Sequence, residues 1–231
     1  SFKFRESFEY MGLSYKFKVF MRGFERNDEF FNSRWLSSFM SSELDNLIDY
    51  SKIGLFDKKS NDIYSFIYSL TKNYEKDLEK LFIQYQRFYL PYLICSHTDK
   101  ANMKYSIEAR SPFLNKKLFE YVNSFHRNEL INKMKSKKIL RNFLYKNKMG
   151  YIAKAKKKGF TIPLALWINN ELRNEINDLL GDNYKDIFRF INYDYFKKLI
   201  SDHFALQKNN YKKIWCLFVL LRWMKNNKLS Y

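Results

Sequence analysis

DKANMKYSIEARSPFLN, residues 99–115, is the stretch from which the rest of the chain is read. It sets Asp99, Lys100, Glu108 and Arg110 close together and runs straight into Ser111-Pro112-Phe113-Leu114. Proline lacks an N–H and restrains the residue before it, so Pro112 is expected to end whatever helix comes earlier. Glu108 and Arg110 are two residues apart. On a helix they would point to different faces; in an extended or turning segment they share one face and can meet a common ligand. The plainer alternative is a solvated ion pair at a helix end, which is what most charged clusters are.

The surrounding composition narrows the classes. At 231 residues, with 46% hydrophobic and 19% aromatic side chains, the chain can bury one good core or two small ones and is no disordered tract. Only 6 Gly and 3 Pro argue against a turn-rich β-sandwich or barrel and for helices. The apolar run Ile214–Leu221 is far short of the roughly 20 residues that span a bilayer, and SFKFRESFEY at the start has no apolar signal core. Cys95 and Cys216 make no CxxC pair and read as small buried apolar groups, which fits a reducing cytoplasm. His97, His126 and His203 are too scattered for a metal site, and none is expected. The net charge of +18 is compatible with nucleic acid, an anionic surface or an anionic substrate such as ATP. The lysines are spread along the chain, which favours a lysine-rich composition over a nucleic-acid partner.

Along the chain, Ser41-Ser42-Glu43 is expected to cap a helix carrying Leu44, Leu47 and Ile48, closed by Gly54. Residues 57–62, DKKSND, read as a linker, dividing residues 1–56 from a main helical region, 63–231. Ile63, Phe66, Ile67 and Leu70 restore helical period. Leu78, Leu81, Phe82, Tyr85, Phe88 and Tyr89 continue it as a core-facing stripe, before Leu90-Pro91 turns the chain into the central stretch. Leu118, Tyr121, Val122 and Phe125 mark the next helix, and Lys137-Lys138-Ile139-Leu140-Arg141 begins another. Lys137 and Arg141, four apart, share a helix face and repel unless an anion or solvent lies between them. Leu172, Ile176, Leu179 and Leu180 form a stripe stopped at Gly181. Phe196, Leu199, Ile200 and His203 form another, and Ile214 to Trp223 a last.

Asp99, Met103, Ser106, Glu108, Arg110, Pro112, Phe113 and Leu114, in that order, resemble the synthetase domain of glutamine-dependent asparagine synthetases, roughly D-x-x-S-M-A-x-S-x-E-x-R-x-P-F-L-D. The chain departs at Asn102, Lys104 and Asn115, where the family usually has Ser, Ala and Asp. Lys137, Leu140 and Arg141 are similar to the family's K-x-x-L-R. Gly159-Phe160, Pro163-Leu164 and Trp167 resemble its R-P-K-K-G-F-x-x-P-L-x-x-W. In that register Lys157 falls on the lysine treated in the family as catalytic. Ala155 and Lys156 replace the usual Arg and Pro, so Lys156 and Lys158 stay open as alternatives. The closing Trp215 to Trp223 is similar to L-W-x-L-x-x-L-E-x-W, with Arg222 where Glu is common. His203 also matches a family position and reads as structural.

The resemblance implies an all-α chain of eight to eleven helices. It would be the helical carboxyl-terminal portion of an α/β adenine-nucleotide-hydrolase-like (PP-loop) synthetase domain whose sheet lies outside these residues. No S-G-G-x-D-S phosphate loop and no amino-terminal Cys with a glutaminase domain occur in the sequence. The chain is therefore expected to be part of a synthetase, inactive by itself, and partnered by nucleotide-binding and glutaminase regions in the same or a separate chain. A homodimer is compatible with this. ATP and Mg2+ are the implied cofactors, and aspartate or a related carboxylate the implied substrate. Lys157 would be catalytic, Asp99, Glu108 and Arg110 substrate-binding, and Lys137 and Arg141 contacts to ATP phosphates. Two other readings compete: a basic module gripping nucleic acid or an anionic surface, and a non-catalytic remnant of the scaffold.

Overall fold

The computed structural model describes Phe17, Phe20, Met21 and residues 37–53, 63–130, 137–155, 162–185 and 188–229. Among these residues the structure is helical, with no strand and one isolated antiparallel bridge, Ile48 to Ile191. The α-helices are α1 (Ser41–Leu47), α2 (Ile63–Thr71), α3 (Asp77–Gln84), α4 (Ser96–Met103), α5 (Lys116–Asn123), α6 (Arg127–Leu130), α7 (Lys138–Lys146) and α8 (Gly150–Lys154). They continue with α9 (Leu164–Asn169), α10 (Arg173–Asp178), α11 (Asp182–Lys185), α12 (Tyr193–Phe204) and α13 (Tyr211–Asn226). The described residues thus form more segments than the eight to eleven expected, because several are single turns. The chain divides into two compact units: residues Ser1–Asp62 with Thr161–Tyr231, and residues Ile63–Phe160. The expected Gly54 cap and the 57–62 linker lie outside the described residues.

The first unit holds a continuous apolar core. Ile168, Ile176, Leu179, Phe188, Phe196, Ile214 and Leu221 are wholly buried in it. Ile168, Ile176, Phe196, Ile214 and Leu221 belong to the stripes of α9, α10, α12 and α13, while Leu179 caps α10 and Phe188 lies between α11 and α12. His203 sits in this core without solvent contact. Its Nδ1 accepts the Asn210 N–H at 3.3 Å, and its Nε2 faces Asn169 Nδ2 at 3.3 Å. Burial pushes its pKa down to about 4, partly opposed by hydrogen bonding to the backbone of Ala165 and Lys208. It is a neutral core histidine, as its place on the α12 stripe suggested.

Two local expectations are corrected. Met40, not Ser41, is the N-cap of α1; the Glu43 carboxylate reaches back to accept the Met40 N–H at 3.0 Å. The other Glu43 oxygen pairs with the Lys213 ammonium. Neither cysteine is a buried apolar group: Cys95 is half-buried and Cys216 exposed, its thiol 3.3 Å from the Ser38 hydroxyl. Cys216 lies on the outer side of α13, whose buried residues are Lys213, Ile214, Leu217, Phe218, Leu221 and Met224. Arg222, where the family usually has Glu, pairs with Glu175 at 2.6 Å.

The second unit is built on helical chain running without a break from Asp77 to Met103. Pro91 does not turn it, as the sequence suggested. Proline cannot donate to residue i−4 and its ring clashes with that carbonyl, and the chain answers by widening to π-type turns over Tyr85–Cys95. Phe66 of α2 packs edge-on against Phe88 and Tyr92, with ring centroids 6.0 and 6.3 Å apart. The expected core stripe is only half-buried here. Ile67, Thr71, Ile83, Gln84 and Ala153 are the buried residues among those described in this unit.

Candidate functional site

The segment carrying Glu108 and Arg110 starts where α4 stops, and Pro112 does not stop it. Ser106 takes the left-handed conformation at φ 58°. Its N–H donates to the Met103 carbonyl at 3.0 Å, and the Ile107 N–H donates to the Asn102 carbonyl at 3.2 Å. These two bonds satisfy carbonyls that a helix end leaves without partners. Pro112 instead opens a 3-10 turn, Pro112–Leu114, six residues later, where its missing N–H costs nothing.

Between the two turns the chain is extended, and Glu108 and Arg110 meet on one face. Arg110 Nε lies 2.7 Å from Glu108 Oε1, and Nη2 lies 3.1 Å from Oε2. The fork is bidentate, the strongest geometry for this pair. It is also solvent-facing, with side chains 85% and 66% exposed. A surface pair of this kind contributes at most about 1 kcal/mol, so opening it toward a ligand costs little. Asp99 lies in the first turn of α4 and is exposed.

Asn115 caps α5: its side-chain oxygen accepts the N–H groups of Lys117 and Leu118 at 3.1 and 3.3 Å. Asn and Asp cap equally well, so the departure from Asp at this position has a structural account. Lys137 is the N-cap of α7, left-handed at φ 61° and exposed; its carbonyl accepts the Arg141 N–H at 2.9 Å. Arg141 is half-buried, and its Nη1 donates to the carbonyl of Ala153. That partner is a backbone atom twelve residues on, and no sequence pattern marks it. Lys157, with Lys156 and Lys158, lies outside the described residues. Asp99, Glu108, Arg110, Lys137 and Arg141 all belong to the second unit. A groove of about 580 Å³ in the first unit, lined by Glu175, Asp178, Tyr184, Arg222 and Lys225, contains none of them.

Among the described residues no group of three or more His, Cys, Asp or Glu side chains could hold a metal ion. No helix among them is long and apolar enough to cross a membrane.

Comparison with known proteins places the chain in a family. The family model for asparagine synthase matches residues 14–225. Asparagine synthetase [glutamine-hydrolyzing] 1 of Bacillus subtilis (strain 168) is 28% identical over 129 residues, covering 56% of this chain and 20% of that protein. The chain therefore spans about a fifth of the length of the curated relative it matches. No solved structure matches it. With the model covering all but the ends, the chain belongs to the asparagine synthase family.

Proposed function

We propose that the chain supplies the helical part of an ATP-dependent amide synthetase that activates a carboxylate, aspartate by default, and transfers ammonia to it. The observation that carries this reading is the Glu108–Arg110 fork. Two opposite charges are held in register on an extended segment, on the surface, at the centre of the family's most specific motif. A cation and an anion side by side suit a substrate bearing both an ammonium and a carboxylate.

In the proposed reaction a substrate carboxylate oxygen attacks the α-phosphorus of ATP, and pyrophosphate leaves. Ammonia then adds to the acyl carbon. The tetrahedral oxyanion collapses, AMP departs with the bonding pair of the C–O bond, and the nitrogen loses a proton to leave the amide. Negative charge grows first on the phosphate and then on the acyl oxygen. A fixed cation aimed at both positions lowers both barriers. Lys157 takes that role, Glu108 and Arg110 orient the substrate, and Asp99 supports the same segment. Lys137 and Arg141 face the phosphate end. Mg2+ would accompany ATP; among the described residues no group of three or more His, Cys, Asp or Glu side chains could hold it.

The fold around this chain is proposed to be of PP-loop type, with the sheet-bearing nucleotide site and a glutaminase supplied by further regions in the same or a second chain of a cytoplasmic enzyme. Apolar side chains beside the fork support such a covering surface. Tyr105, Ile107 and Phe113 are 71%, 56% and 64% exposed. The test is Lys157→Ala in the full-length gene product, read by ATP–pyrophosphate exchange and amide formation. Both should fall by about a hundredfold or more with the helical circular dichroism unchanged. Undiminished turnover would end the assignment of Lys157.

A further inference from the structure

Helix α8 is five residues long, too short to persist unaided. Three features hold it. At its start, the turn from α7 closes with Lys148 left-handed at φ 58°; the Lys148 N–H donates to Tyr145 at 3.2 Å and the Met149 N–H to Leu144 at 2.8 Å. At Gly150 the two helices approach so closely that an added Cβ would lie 3.0 Å from the Tyr145 ring. Near its end, the Arg141 guanidinium reaches across from α7 to the carbonyl of Ala153, whose side chain is buried at 3% exposure. That carbonyl is among those a helix end leaves without an N–H partner, and a cation there also complements the helix dipole. Charge-assisted bonds of this kind are stronger than neutral ones.

Two residues beyond Ala153 the backbone turns extended at Ala155, with φ −58° and ψ 137°. The next residues in the sequence are Lys156, Lys157 and Lys158. We propose that Arg141 is a positioning residue: by fixing the end of α8 it fixes the point from which the lysine run leaves. This rests on the reading that the lysine run supplies the catalytic charge, and it adds a second role to Arg141 beside a phosphate contact. Misplacing a catalytic group by a small distance lowers the rate while leaving substrate affinity in place.

The test compares Arg141→Met, Arg141→Lys and the unaltered protein without any nucleotide. Native-state trypsin cleavage within Lys154–Lys158 is followed by mass spectrometry, and amide exchange is followed over Gly150–Ala155 and over Asp77–Met103. Arg141→Met should raise cleavage about tenfold or more and speed exchange in α8, with exchange over Asp77–Met103 unchanged. Arg141→Lys, which keeps one donor, should fall between. In the full-length gene product, Arg141→Met should lower kcat by more than it raises KM for ATP, and Arg141→Lys should recover part of kcat. Unchanged cleavage together with a raised KM for ATP would overturn the proposal and leave Arg141 as an anion contact. Equal loosening of Asp77–Met103 would overturn it as well, by making Arg141 a general stabiliser. Full activity of Lys157→Ala would remove the catalytic reading without touching the cleavage result, so the two failures are separable.

Discussion

Glu43→Gln would expose how much the first unit depends on one partly buried ion pair. One Glu43 oxygen accepts the Met40 N–H at 3.0 Å and the other pairs with Lys213. The Lys213 side chain is 9% exposed and that of Glu43 is 24% exposed. Glutamine keeps the size and an acceptor oxygen but removes the charge that justifies burying an ammonium. Deleting one partner of a fully buried pair costs about 3–5 kcal/mol. Here the site is not fully closed, and the Phe39 ring stays 6.0 Å from Lys213 Nζ, so the expected cost is about 2–3 kcal/mol. For a chain of this size that lowers Tm by roughly 5–10 °C. Lys213→Met should cost less, about 1 kcal/mol, because the orphaned carboxylate can reach water. The double variant should then lie close to Lys213→Met, giving a coupling of about 2 kcal/mol. Trp35, Trp167, Trp215 and Trp223 all fall in the unit that holds the pair, so tryptophan fluorescence reads its unfolding separately from the second unit. Additive single variants, or a Glu43→Gln loss below about 0.5 kcal/mol, would refute the account.

Two further outcomes follow from the same unit. His203 is neutral when folded, with its pKa near 4, whereas unfolded histidine titrates near 6.5. Above about 6.5 neither state binds the proton; as pH falls toward 4 only the unfolded state does, so this group's share of stability, on the order of 3 kcal/mol, is lost across that window. Urea midpoints at pH 7 and 4.5 should differ less in His203→Gln than in the unaltered protein, and an identical pH dependence would exclude His203 as the cause. Leu206 and Lys228 are left-handed at φ 55°. Replacing either with Gly removes backbone strain and should stabilise by about 0.5–1 kcal/mol despite the freer unfolded chain. A lowered Tm in both variants would contradict this.

What the sequence disclosed follows from where its periodicity was strong. Phe196, Leu199, Ile200 and His203, spaced by threes and fours, are all buried, as are Ile214, Leu217, Phe218 and Leu221. Helix ends were harder to read because the usual C-terminal glycine is missing. Ser106, Lys148, Leu206 and Lys228 take the left-handed position after α4, α7, α12 and α13, each followed by the same pair of backbone bonds. A chain with 6 glycines in 231 residues closes its helices with whatever residue stands there. Pro91 misled in the other direction, since a proline that usually breaks a helix is absorbed by π-type turns. At the site, the two-residue spacing of Glu108 and Arg110 left two arrangements open, and the segment after α4 joins them in a solvent-exposed pair, as the plainer reading had it. The partner of Arg141 was not legible, because a backbone carbonyl carries no side-chain signature.

From Met103 to Tyr121 every residue is exposed, including Phe113, Leu114, Leu118 and Phe119. The family's most specific motif falls within this span from Met103 onward. Packing restricts residue type where side chains are buried and volume changes are felt; among the described residues of the unit nothing imposes that restriction. Capping accounts for Asn115, and the left-handed turn for the backbone at Ser106, but neither requires Glu108, Arg110 or Phe113. Their identities must then be set by something that touches them from outside the described surface. A bidentate fork flanked by aromatic and aliphatic side chains suits a contact that is charged at its centre and apolar around it. Such a contact is what the proposed amide synthetase would require at this segment.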